Sequence, residues 1–285
     1  MTEVTTPPVH PTNTEQARAW DGNEGAFWAR NADGFEQAVA RYDPHLLGAA
    51  DIAPTARVLD VGCGTGSTTR AIARVATAGT VLGVDLSARM IGAARERAAR
   101  DAIGNVVFEH ADAQIHPFAA APVDVVVSRT GTMFFGDPAA AYANLARALV
   151  PGGRLAMVVW QPPSDNEWII AIATALAAGR DLPAPPPEAP GPFSMSDPDR
   201  VRGLLEGAGF AAPRCTAVCE PMVFGTDVDS ACAFILGNLG WMLEGLDDSA
   251  RAQAIAELRR SLQQHRTDLG VAYGSAAWLV TADRR

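Results

Sequence analysis

Val58-Leu59-Asp60-Val61-Gly62-Cys63-Gly64-Thr65-Gly66 is the stretch whose reading decides the fold. It is a short apolar strand with an acid near its end, then three glycines spaced by single residues. A helix-forming segment, Ser67 to Ala76, follows at once. Glycine lacks a Cβ, so the chain can turn sharply there and a ligand can approach the backbone. The spacing separates two kinds of nucleotide site. A nicotinamide or flavin fingerprint needs G-x-G-x-x-G. Here the pattern is G-x-G-x-G, and Ser67 stands where that fingerprint's third glycine would fall. Asp60, so close to the turn, would repel a pyrophosphate and attract a cation such as the ammonium of an amino acid.

Outward from this turn the pattern is regular. Strands are expected at Arg57–Val61, Thr80–Val84, Val106–His110, Val123–Ser128 and Arg154–Trp160. Helices are expected at Ser67–Ala76, Ala88–Arg100 and Pro138–Leu149, with Val150-Pro151-Gly152-Gly153 as a stop and turn before the fifth strand. Short apolar strands alternating with helices predict a parallel sheet covered on both faces. Residues 161–192 break the rhythm with a helix at Trp168–Gly179 and a proline-dense run that excludes regular structure. The rhythm then resumes with a helix at Pro198–Gly207, a strand at Arg214–Val223, mostly helical residues at Asp227–Asp268 and a last strand at Ser275–Ala282. Residues 1–14, rich in Thr and Pro, read as a mobile tail. Trp20, Phe27, Trp28, Phe35 and Tyr42 follow, with helical spacing from Phe27 to Val39. These rings either pack a helix onto the main domain or form a lid over a pocket.

Composition narrows the function classes. Apolar residues are 48% and charged residues 19% of 285, which is ordinary for a globular chain. The formal net charge of −9 argues against a nucleic-acid binder, which needs a basic face. Every basic residue is arginine, so Schiff-base chemistry and a Walker-type phosphate loop are out. Cys63, Cys215, Cys219 and Cys232 form no C-x-x-C pair, and they read as buried or half-buried free thiols in a reducing compartment. No basic-then-apolar leader opens the chain, and no apolar run reaches about 18 residues. A cytoplasmic protein with no membrane partner is expected.

The motifs together resemble the class I S-adenosylmethionine-dependent methyltransferases, strongly over about residues 55–160 and in layout over the whole chain. Val58–Gly66 matches that family's first motif residue for residue. Val81-Leu82-Gly83-Val84-Asp85-Leu86-Ser87 matches the second, Ala111-Asp112-Ala113 the third, Val123–Ser128 the fourth strand, and Leu149–Leu155 the turn into the fifth. Within the family the look is that of small-molecule enzymes of quinone biosynthesis and bacterial secondary metabolism. The resemblance implies a Rossmann-like α/β fold: a seven-stranded, mostly parallel sheet with an antiparallel last strand, helices on both faces and a helical cap. It implies S-adenosylmethionine as cofactor. Asp60 would meet the methionyl ammonium, and Gly62, Gly64 and Gly66, with Cys63 among them as a further cofactor-site residue, would let the backbone pass beneath the ligand. Asp85, with Leu86, would hold the ribose hydroxyls. Met90 would lie against adenine, Asp112 and Ala113 would meet its edge, and Ser128 would border the site. The domain layout expected is a tail at 1–14, a helical lid at 15–50, and a methyltransferase domain at 51–285 with cap insertions near 161–196 and 227–268.

The loop Ser128–Phe135 follows the fourth strand and should face the transferable methyl, because ligands in open parallel sheets sit beyond the carboxyl ends of strands. Arg129 would bind a substrate anion or pair with a helix acid. Trp28, Phe134, Trp160 and Trp241 are candidates for an apolar or aromatic acceptor pocket. Displacement at a sulfonium-bound carbon needs a base only if the acceptor arrives protonated. His45, His116, His265 and Asp137 are the candidates, with His116 and Asp137 carried as weak catalytic ones. No metal is expected. The partner expected is a small-molecule acceptor, with a homodimer left open. Two alternatives stand beside methyl transfer: a cyclase or decarboxylase on the same fold, and a cofactor-binding regulatory protein.

Overall fold

The computed structural model describes residues 7–181, 186 and 188–285. The sheet is built from β1 (Arg57–Val61), β2 (Thr80–Asp85), β3 (Val106–His110), β4 (Val123–Arg129), β5 (Leu149–Trp160), β6 (Phe210–Gly225), the two-residue β7 (Arg266–Thr267) and β8 (Gly270–Arg284). Its order is β3-β2-β1-β4-β5-β8-β6, with β7 hairpinned onto β8. The first five strands run parallel, and β8 lies antiparallel between β5 and β6. The expected seven-strand Rossmann-like sheet is therefore present, with one short extra strand. Val58, Leu59 and Val61 are buried, as a central strand covered on both faces requires. Successive strands go one way from β1 through β2 to β3 and the other way from β4 to β5. The order reverses between β1 and β4, which is where such sheets open a crevice.

Eleven helices surround the sheet among the described residues. Four precede it: α1 (Thr14–Trp20), α2 (Asn23–Arg30), α3 (Ala32–Val39) and α4 (Asp43–Ala50). The crossovers supply α5 (Ser67–Val75), α6 (Ala88–Arg100) and α7 (Pro138–Ala148). The later segments supply α8 (Glu167–Ala177), α9 (Pro198–Gly207), α10 (Val228–Leu239) and α11 (Asp248–Gln264). Local chemistry sets several starts. Ser87 caps α6 by accepting from Met90 N–H, and Asp137 caps α7 by accepting from Ala140 N–H, with Pro138 at the first position. Asp227 and Ser230 form a reciprocal capping box at α10.

Several expectations are corrected. The Val150–Gly153 turn lies inside β5: Leu149 already pairs with Val123, and the extra residues form a bulge before Arg154 pairs with Val125. The helix expected from Phe27 to Val39 is broken at Asn31, whose side-chain amide donates back to Phe27 O. The tail expected through Thr14 holds structure from His10: Pro11–Asn13 form a 3-10 turn and Asn13 is buried. α4 belongs to the layer on the sheet rather than to a lid, since it packs on β4, β5 and β8 with Leu46 and Ala50 in the core. Cys63 and Cys232 are buried and Cys215 half-buried, but Cys219 is exposed, because it faces outward on edge strand β6. Residues 182–185 and 187 of the proline-dense run lie outside the described residues.

Candidate active site

The glycine turn connects β1 to α5, and four of its N–H groups are taken up by protein. Gly62 and Cys63 N–H both donate to Val84 O, Gly66 N–H to Cys63 O, and Gly64 N–H to Asp85 Oδ2 at 2.9 Å. A phosphate-binding turn keeps such donors available, so this geometry agrees with the sequence argument against pyrophosphate. The three glycines answer different demands. A Cβ on Gly62 would lie 2.8 Å from Gly131 Cα, and one on Gly66 would lie 2.8 Å from the Phe108 ring. Those two serve packing. Gly64, at φ +54°, meets nothing nearer than Met90 Sδ at 3.9 Å. It alone looks across open space, with the Met90 sulfur on the far side.

Asp60 is buried at the end of β1, where Thr69 Oγ1 of α5 donates to its Oδ2 at 2.6 Å. Its Oδ1 has no hydrogen-bond partner among the described residues. Burial pushes its carboxyl up to about 6, against the pull of the Thr69 hydroxyl and the Arg129 charge. Asp85 accepts from Gly64 N–H and, through Oδ1, from Ser87 N–H at 2.9 Å, which leaves lone-pair capacity on both oxygens. Burial raises its carboxyl too, opposed by those two N–H groups. The carbonyl of Leu86 is held by His110 Nε2 at 2.9 Å. Cys63 turns its sulfur inward against Ile91, Ala94 and Phe108, and burial holds its thiol well above the ordinary range. Its side chain serves packing.

At the end of β3, Asp112 is buried and accepts three N–H donors: His10 N, Asn13 Nδ2 and Gln114 N. Neighbouring Ala113 is buried as well, and its N–H has no acceptor among the described residues. Such groups are uncommon in native proteins and point to a missing partner. The chain thus presents a carboxylate oxygen without a protein partner among the described residues, a carboxylate with lone pairs to spare on both oxygens, and a side-by-side acceptor and donor. That set suits an amino-acid nucleoside.

The loop after β4 is where the sequence candidates divide. Ser128 is buried and donates to Val61 O at 2.7 Å, so it ties β4 to β1 rather than lining a cavity. Arg129 pairs with Asp43 Oδ1 at 2.8 Å, which takes up its charge. Burial nevertheless raises the Asp43 carboxyl, more than Arg129 lowers it. Thr130 sits at φ +60°, a conformation costly for a β-branched residue. Phe134 packs edge-on to Trp20 at 5.0 Å, Trp20 to Trp28 at 5.6 Å, and Trp28 stacks on Phe35 at 3.4 Å. Phe35 continues to Phe234 of α10, whose Gly237 leaves space for Phe27. Trp28 and Phe134 are therefore brought together by Trp20. Trp160 is not in that group; it is core, against Tyr42 and Trp168. Trp241 is 56% exposed and makes no ring contact with the cluster.

The two catalytic candidates both have structural partners. His116 faces Glu109 at 3.4 Å on edge strand β3, and Asp137 is the α7 cap. The other histidines are also engaged: His10 with Thr12, His45 with Glu220, His110 with Leu86 O and His265 with Glu167. Sequence reasoning missed Thr69, Gly131, Asn13 and Glu36. Glu36 of α3 accepts from Thr65 Oγ1 of the turn at 2.8 Å and pairs with Arg97 at 3.4 Å. Thr69 and Glu36 lie in expected helices, Gly131 in the loop after the fourth strand and Asn13 in the expected tail, so only contact across the fold reveals what each of them touches.

A family model described as a methyltransferase domain matches residues 58–153. Nocamycin O-methyltransferase of Saccharothrix syringae is 31% identical over 248 residues, 81% of this chain and 85% of its own. An O-methyltransferase of Pyrenophora dematioidea is 34% identical over 234 residues, 78% of this chain and 82% of its own. Among solved structures, the cyclase SpnF superposes with a TM-score of 0.58 at 19% identity over 98% of both chains. At that identity the likeness is one of fold.

Proposed function

Because this chain belongs to the S-adenosylmethionine-dependent methyltransferases, we propose that it methylates the oxygen of a small apolar or aromatic acceptor bearing an acidic hydroxyl, seated against Trp20, Trp28 and Phe134. The family activity is methyl transfer to a small molecule; the oxygen and the acceptor class are the proposal. S-adenosylmethionine supplies a methyl group on a sulfonium whose positive charge already activates the leaving group. The residues at the sheet's crevice fit it. Asp60 Oδ1 would meet the ammonium as a charge-assisted partner. Asp85 would accept the two ribose hydroxyls, Met90 would lie opposite Gly64 against the ligand, and Asp112 with Ala113 N–H would meet the adenine edge. Holding both reactants in line and excluding water can lower the barrier by roughly 7–11 kcal/mol.

The observation that carries the acceptor class is the ring cluster at the carboxyl end of β4, combined with five histidines that all have partners elsewhere. With no imidazole left over, the acceptor is best supplied with a hydroxyl that ionises readily to water, a phenol or an enol. The names of the two O-methyltransferase relatives support oxygen. A cytoplasmic setting is part of the reading, supported by four free thiols. The test is a screen of phenols, enols, aliphatic alcohols and amines with methyl-labelled S-adenosylmethionine. Labelled methyl ethers from the first two classes are expected, and Trp20→Ala or Phe134→Ala should raise the acceptor KM about tenfold with cofactor affinity intact. Label appearing only on nitrogen or carbon would sink the proposal.

A further inference from the structure

His10–Asn13 is a short strap laid between the loop after β3 and the loop after β4. Pro11 opens its 3-10 turn, and His10 before it is extended at φ −63° and ψ 142°, as a residue preceding proline prefers. The strap makes two of the three hydrogen bonds to Asp112. His10 N–H donates to Oδ2 at 3.0 Å and Asn13 Nδ2 to Oδ1 at 2.8 Å; Gln114 N–H donates to Oδ1 at 2.9 Å. Asn13 is itself fixed from the other side, since its Oδ1 accepts from Gly136 N–H at 3.0 Å. Thr12 Oγ1 accepts from Gln114 Nε2 at 3.0 Å, and a Cβ on Gly136 would lie 2.0 Å from Thr12 O. The strap is thus inset between the loop that carries the third motif and the loop after β4.

We propose that Asn13 and the His10 N–H are positioning groups of the cofactor site, which set the Asp112 carboxylate so that it reads the adenine base by its amine. This rests on the placement above, with Asp112 at the adenine edge. A carboxylate has about four lone-pair sites. Two are filled on Oδ1 and one on Oδ2, so one remains, on Oδ2. A single oriented lone pair accepts an N–H and repels a carbonyl oxygen. Ala113 N–H beside it requires a ring acceptor. The pair matches adenine, with its exocyclic amine and adjacent ring nitrogen. It mismatches hypoxanthine, where an oxygen and a ring N–H exchange those roles.

Calorimetry with S-adenosylhomocysteine and S-inosylhomocysteine tests this without turnover. Wild type should prefer the adenosyl ligand. Asn13→Ala should weaken that ligand about tenfold and leave the inosyl ligand unchanged, since one charged hydrogen bond has lost its orientation. His10→Pro should act in the same direction. It deletes one N–H at a φ that proline adopts, so it keeps the test available if Asn13→Ala melts early. Equal weakening of both ligands would make the strap a mere cover, and unchanged or tighter adenosyl binding would make it idle or a competitor; each overturns the proposal. Asp112→Asn separates the two readings. If it leaves the adenosyl preference intact, the cofactor placement fails. If it abolishes the preference while Asn13→Ala and His10→Pro do not, the strap's role alone fails.

Discussion

Gly62 and Gly131 cross with no room for a side chain on either: a Cβ on Gly62 would lie 2.8 Å from Gly131 Cα, and one on Gly131 would lie 2.9 Å from Gly62 Cα. The crossing sits where the sheet order reverses, between β1 and β4. It brings the glycine turn after β1 and the loop after β4 into backbone contact, so the proposed cofactor and acceptor sides share one tight junction.

Alanine at the two kinds of glycine should therefore separate stability from binding. Gly131→Ala, at an ordinary helical φ of −87°, adds only a clash and should cost about 1–3 kcal/mol in chemical denaturation. Gly64→Ala meets open space, so its stability cost should be only the left-handed backbone penalty of about 1–2 kcal/mol. Its methyl group would nevertheless stand in the ligand's path, and S-adenosylhomocysteine binding by calorimetry should fall at least tenfold. Normal binding in Gly64→Ala would remove the ligand from that face of the turn.

Asp60 should trade stability for function. Burial raises its carboxyl from 3.8 to about 6, so the unfolded chain ionises first as pH rises. Stability from this group is greatest below pH 3.8, declines through the window up to about 6, and stays low above it. The cost at pH 7 is about 3 kcal/mol, from roughly two pKa units. Asp60→Asn keeps an acceptor for Thr69 and should raise the melting temperature of the ligand-free protein at pH 7 while weakening S-adenosylhomocysteine. In wild type that affinity should drop as pH falls below about 6, because the ammonium needs the ionised carboxylate. Affinity flat from pH 5 to 8 would contradict this pairing.

Asp85→Ala should weaken cofactor binding about tenfold or more, on the basis of roughly 1.5–3 kcal/mol for a charged hydrogen bond. It also strands Gly64 and Ser87 N–H, so a moderate fall in stability should accompany the loss. Unchanged affinity in a folded variant would refute the ribose role.

Arg129 should behave as a structural partner. Arg129→Met leaves the half-buried Asp43 without its cation and should cost about 1–3 kcal/mol. Adding Asp43→Asn should restore most of that, and the acceptor KM should be the same in the double variant as in wild type. A KM rise that survives the double substitution would return Arg129 to the acceptor site.

What the sequence determined by itself was the strand–turn–helix at Val58–Ser67, the order of strands and helices around it, and the acids at 60, 85 and 112. These are readable because each is local: a two-residue or 3.6-residue period, a glycine where a turn needs one, a carboxylate at a strand end. The tertiary structure alone decided which candidates hold the fold and which remain open to a ligand. Ser128, Arg129 and Asp137 have the residue types of a site, yet their hydrogen bonds go to Val61, Asp43 and Ala140. Asn13 has no motif around it, yet it reaches Asp112 across 99 positions of chain. Of the three glycines that opened the reading, packing requires two, and only Gly64 faces open space. Hydrogen-bonding capacity belongs to a residue type, but whether it is already satisfied depends on neighbours that only the folded chain brings together.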